Sequence, residues 1–163
     1  MHSFLRRTVV GWTALIMSLC GVGQASESGD ALNKTLDEVS TVQMELAVAQ
    51  KRFLVMSREM AATEMCAARE LLGASIDFRE VTEEARMIGK MVGEMKYPED
   101  AMTARRFFGL SSSRVVSIGK TDTEILDEYL TKITTPEAIE MAKTMRNKMS
   151  ELRDIFGKFA SKR

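Results

Sequence analysis

Histidine, tryptophan and proline are nearly absent from this chain. Its 163 residues include one His, one Trp, two Pro and two Cys, and only 6% are aromatic. So few Pro, with ten Gly, exclude a collagen-like or loop-dominated chain. Neither sign of charge is in excess: 23 basic residues balance 23 acidic ones, whereas a nucleic-acid binder normally shows a basic surplus. The 45% hydrophobic content argues against wholesale disorder. The length fits one domain with a short appendage.

The appendage is at the start. Arg6 and Arg7 precede an uncharged run from Thr8 to Val22, and Gly23-Gln24-Ala25 supplies small residues for a cut after Ala25. This order of positive, apolar and small residues is that of a secretory signal peptide over 1–25, and the run is shorter than the ~20 residues a spanning helix needs. A retained membrane anchor and a presequence are the weaker alternatives. Leu19 before Cys20 argues against a lipoprotein site.

Cleavage sharpens the absences. Residues 1–25 contain the only His, the only Trp, Cys20 and two Arg but no acid, so 21 basic and 23 acidic residues remain, a formal charge of −2. Without histidine, Ser-His-Asp and Cys-His catalysis and His-ligated zinc are excluded. Cys66 is left without an intramolecular partner, as a buried inert thiol or as one half of an intermolecular disulfide.

Beyond a short linker at 26–30, residues 31–163 read as a single all-α domain. Leu32, Val39, Leu46, Phe53 and Met60 form a seven-residue repeat on a long helix over 31–72, a coiled-coil-like seam. Such a helix is ~63 Å long, too long for a compact globule of this size. A turn at Gly73-Ala74-Ser75 leads to a helix over 76–96 that returns antiparallel. Pro98 opens a short helix over 98–108. Residues 109–120, with two flanking glycines and three serines, read as a loop. A capping box at Thr121–Glu124 and a Pro136 start give helices over 122–133 and 136–160. The expected fold is an elongated helical hairpin or bundle. No repeat of solenoid length is apparent.

Methionine is abundant, with 13 in all. Met87, Met91 and Met95, and again Met141, Met145 and Met149, recur at i, i+4, i+8. Thioethers on one helix face suit Cu(I) in an exported protein. The competing reading is core packing, because Met fills irregular gaps, and a third is a Met-rich surface that adapts to varied partners.

Arg105-Arg106-Phe107-Phe108 could touch a membrane surface or an acidic partner; two Phe anchored in the core with the Arg heads in solvent is the favoured alternative. The acidic strip Asp77, Glu80, Glu83, Glu84 reads as a solvated face. Ser117-Ile118-Gly119-Lys120 fits Ser-x-x-Lys, but the companion motifs are missing, and Gly119-Lys120-Thr121 fits only the end of a P-loop. Asn33-Lys34-Thr35 is a glycosylation sequon that matters only in a eukaryote; the short leader mildly favours a bacterium.

These features point to an exported protein, periplasmic or secreted, that is not an enzyme, carries no cofactor and binds no nucleic acid. It acts through a protein partner or self-association, with the Leu32–Met60 seam as interface. In general plan alone it resembles envelope adaptors, extracytoplasmic chaperones and minor subunits of secretion or pilus assemblies. The alternative is a soft-metal binder using the Met triplets, and the third reading is an enzyme working without histidine.

Overall fold

A computed structural model describes residues 9–95 and 97–160, with side chains from Gly29 onward apart from Pro98. The described residues form helices α1 (Val9–Ser57), α2 (Ala62–Glu94), α3 (Pro98–Leu130) and α4 (Pro136–Gly157), with no strand among them. The leader read over 1–25 rests on side chains outside the described residues; from Val9 its backbone belongs to α1. Among the described residues no helix is long and apolar enough to cross a membrane.

Consecutive helices run antiparallel and pack as neighbours, and α4 closes the ring against α1. Cross-helix pairs fix the register. Gln43 of α1 meets the Thr82 hydroxyl of α2 at 3.0 Å, and Gln50 donates to the Ser75 hydroxyl at 3.3 Å. Asp127 of α3 meets Arg146 of α4 at 2.5 Å, and Glu45 of α1 meets Lys148 of α4 at 2.5 Å. α2 and α4 also touch across one diagonal, where the Ser75 hydroxyl lies 3.8 Å from the Met145 sulfur. Asn33 of α1 stands level with Gly93 of α2, so α2 ends opposite the start of the α1 core and the bundle is closed from about Leu32 onward.

Each helix buries a stripe that alternates steps of four and three. On α2 it is Glu64, Ala68, Leu71, Ser75, Phe78, Thr82, Ala85, Gly89 and Val92. On α4 it is Ala138, Ala142, Met145, Met149, Leu152 and Phe156. That spacing keeps one face of a 3.6-residue helix turned inward along its length. α2 and α3, each of 33 residues, are ~50 Å long.

Three expected boundaries fall elsewhere. The long helix ends at Ser57 rather than 72. Its last amides fold into tighter bonds, Arg58 N–H to the Val55 carbonyl at 3.3 Å and Glu59 N–H to Met56 at 3.0 Å. Ala61 is then extended, at φ −60° and ψ 147°. No residue in this turn needs a positive φ, so neither Gly nor Pro marks it. Tertiary burial holds it instead: Met60 enters the core, and the Glu64 carboxylate accepts from the Thr134 amide and hydroxyl and from the Thr135 hydroxyl at 3.0 Å. One carboxylate thereby ties the α1–α2 turn to the α3–α4 turn at the same end of the bundle.

The expected turn at Gly73–Ser75 is uninterrupted helix, since a lone Gly costs a helix only ~1 kcal/mol. The expected loop 109–120, with the helices drawn on either side of it, is the middle of α3. Its glycine is a notch for packing. A Cβ on Gly119 would lie 2.7 Å from the Phe78 ring of α2, and a Cβ on Gly89 of α2 would lie 2.9 Å from the Phe108 ring of α3. The two helices therefore exchange Phe knobs into Gly notches. The pattern is written twice: Phe78, Thr82, Ile88, Gly89, Lys90 recurs thirty residues on as Phe108, Ser112, Ile118, Gly119, Lys120. The serines of this stretch do not make a loop. Ser113 returns its hydroxyl to the Gly109 carbonyl at 2.8 Å, and Ser112 is buried.

Candidate functional site

The expected interface is interior. Val39, Leu46 and Phe53 have no exposed surface, Met60 is buried and Leu32 is half-buried against the same core. The chain's own helices cover the seam, because a four-helix bundle supplies on one chain the partner that a long lone helix would need from another.

The two methionine triplets separate. Met145 and Met149 are fully buried in the core and Met141 is half-buried beside it, so this set packs the bundle and offers no open ligand face. Met87 and Met91, in contrast, are 58% and 59% exposed on the outside of α2, with Met95 exposed one turn further on. Met87 and Met95 are eight residues apart, ~12 Å along the axis, so a single ion is most easily shared by neighbouring pairs. Among the described residues, no group of His, Cys, Asp and Glu is placed to hold a metal.

Cys66 is exposed in the first turns of α2, contrary to the buried reading, with Lys132 as a charged neighbour. Lys132 is already engaged, with Glu128 at 2.8 Å and 4.0 Å from the Tyr129 ring centroid. The two aromatics of Arg105–Phe108 also part. Phe108 is buried against Phe156 and Phe159, with ring centroids 6.4 and 5.1 Å away. Phe107 points outward, so only one Phe is an anchor.

Phe107 is not isolated. Met102, Thr103, Arg106, Phe107 and Leu110 line one depression on the outer face of α3. Its three large apolar side chains are 74%, 61% and 54% exposed in the order Met102, Phe107, Leu110. Tyr97, also exposed, and the end of the Met87–Met95 stripe lie at the same end of the bundle, where α2 hands over to α3. Large apolar groups gathered in a rimmed depression mark interaction sites. A second exposed apolar stripe, Met44, Val48 and Val55, runs along the outside of α1. The sequence singles out Arg106 and Phe107 of the first patch but neither Met102 nor Leu110 beside them, and the buried seam draws attention away from the α1 stripe. Its signal is apolar residues out of phase with that seam, since Met44, Val48 and Val55 interleave with Gln43, Leu46, Gln50 and Phe53.

The remaining polar residues take simpler places. Ser117 and Lys120 are exposed on α3, and Thr121 donates to the Ser117 carbonyl as part of that helix. In the acidic strip, Glu83 pairs with Arg86 at 2.6 Å, an attachment that holds its carboxyl below the ordinary glutamate range. Asp77, Glu80 and Glu84 face solvent, and Glu84 reaches Arg114 at 3.3 Å. Asp122 is anomalous. Its Oδ2 is buried without a hydrogen bond, and burial, reinforced by the charge of Asp77, pushes its pKa up to about 6.

The chain matches no family model, no curated protein and no solved structure.

Proposed function

We propose that this is an exported, non-catalytic helical protein that works by presenting the α2–α3 end of its bundle to a protein partner. The depression of Met102, Arg106, Phe107 and Leu110 carries the reading. Burying Met, Phe or Leu side chains against a partner yields ~1.5–3 kcal/mol each. Arg106 adds a planar donor for a partner carboxylate. Met102, with exposed Met95 nearby, supplies flexible, polarizable contacts of the kind adaptable binders use. Export is supported by the leader pattern over 1–25 and by a bundle that closes without it, from about Leu32. The test replaces Met102, Phe107 and Leu110 together by Ser. The variant should fold as the parent does and lose its partner in affinity capture from the source cells; a partner retained at full yield rejects the reading. N-terminal sequencing of the protein recovered outside the cytoplasm should begin at Ser26.

A soft-metal role is the second reading, and the exposure of Met87, Met91 and Met95 on one face of α2 favours it. Cu(I) titration under a competing chelator decides it. Binding should vanish when these three are changed to Leu and persist when Met145 and Met149 are changed.

A further inference from the structure

We infer that the outer face of α1 docks on the outer face of α2 of a second copy of this chain. This rests on the interaction reading above and names a partner for a different face. The solvent side of α1 carries Met44, Val48, Lys51 and Val55, and Arg58 continues the line in the turn that follows, in steps of four, three, four and three, all exposed. The solvent side of α2 carries Asp77, Glu80, Glu84, Met87 and Met91 in matching steps, also all exposed. Each is a straight stripe opposite the buried one, the layout of a helix with a second seam to fill. The first is apolar and basic, the second acidic and methionine-rich.

Laid antiparallel, the stripes match position by position. Met44 meets Met91, Val48 meets Met87, Lys51 meets Glu84 and Arg58 meets Asp77, with Val55 over the stem of Glu80. Apolar faces apolar at one end and opposite charges meet at the other, over a length of ~20 Å. Lys51, Arg58 and Glu80 have no ion pair within the chain among the described residues, and the Glu84–Arg114 pair is exposed on both sides and weakly held.

Within one chain Gln50 faces Ser75, so Val48 stands level with Asp77. Docking sets Val48 level with Met87 instead. The second copy is therefore displaced by ten residues, ~15 Å along the bundle. A contact with that offset joins unlike faces and is not closed by a two-fold axis, so it propagates as a staggered array.

The experiment is sedimentation velocity on the protein as recovered from cells, from about 1 to about 100 µM. Two charge-reversal variants are compared: Lys51→Glu with Arg58→Glu, and Asp77→Lys with Glu80→Lys. Wild type should associate beyond a dimer with rising concentration, and less at about 500 mM than at about 50 mM salt. Each variant alone should associate at least about tenfold more weakly. An equimolar mixture of the two should recover association, because each pairs its altered face with the other's. Circular dichroism should show all of them folded. A monomeric wild type, association indifferent to both reversals, or a mixture that stays dissociated each overturns the proposal. The Met102, Phe107, Leu110 triple variant should associate like wild type. Its partner loss without change in self-association, or the converse, separates the two readings.

Discussion

The ring of Phe78 on α2 rests against the backbone of Gly119 on α3, so close that a Cβ at Gly119 would lie 2.7 Å from it. Phe108 and Gly89 repeat the arrangement with the helices exchanged. This reciprocal pair sets how closely α2 and α3 approach. Gly119→Ala and Gly89→Ala should each destabilise the protein by ~1–3 kcal/mol through overpacking. Phe78→Ala should cost ~3–5 kcal/mol. Gly73, with nothing within 4 Å of its would-be Cβ, supplies the contrast: Gly73→Ala should stabilise by ~0.5–1 kcal/mol. Urea midpoints of the four variants check the ordering.

The same pair explains what the sequence conceals. The 4-3 pattern of apolar residues is a direct consequence of burying one helix face, so the all-α class and the helical-bundle plan are legible in the sequence. The function of a glycine is not local. Gly73 and Gly119 look alike in the sequence, yet one is incidental and the other a notch, and only the partner helix distinguishes them. The true turn after Ser57 has the opposite problem, because Arg58-Glu59-Met60-Ala61 contains no turn residue and is held by Glu64 reaching Thr134 and Thr135. The candidate surface was half-legible: the Arg105–Phe108 segment was singled out, but which Phe faces outward depends on Phe156 and Phe159 being in place to receive the other.

Asp122 should make stability fall as pH rises. Its folded pKa of about 6 lies above the ordinary 3.8, so the folded state holds the proton more tightly than the unfolded chain does. Its own contribution to stability is then greatest below pH 4, declines between about 4 and 6 and levels off above. Asp122→Asn removes this dependence. The variant should match wild type near pH 4 and exceed it at pH 7, as read from denaturation midpoints at the two pH values.

Glu64 works in the opposite sense. Hydrogen bonds from the Thr134 hydroxyl and amide, and from Thr135, hold its carboxyl below its ordinary 4.5 against the opposing effect of burial. Its contribution is present above that value and is lost as pH falls through the lower folded one. Glu64→Gln should lower the melting temperature at pH 7, and the difference from wild type should shrink in acid. Hydrogen exchange should quicken at Thr134, whose amide the carboxylate accepts, and at the 58–61 turn.

The buried polar pair Gln50 and Ser75 should matter to stability despite being uncharged. The amide and hydroxyl meet at 3.3 Å inside the bundle, so Ser75→Ala strands the Gln50 amide and should cost ~1–3 kcal/mol. Replacing both, with Gln50→Leu and Ser75→Ala, should recover part of that loss. A thermodynamic cycle across the pair measures the coupling.

The central claim is that the outer face of α3 near Phe107 meets a partner protein. A photo-crosslinking side chain placed at position 107, and for comparison at the exposed position 117 further along the same helix, tests it directly in the source cells. A discrete adduct of one higher mass from position 107, absent from 117, is the predicted result. No adduct from either position, or the same products from both, contradicts it.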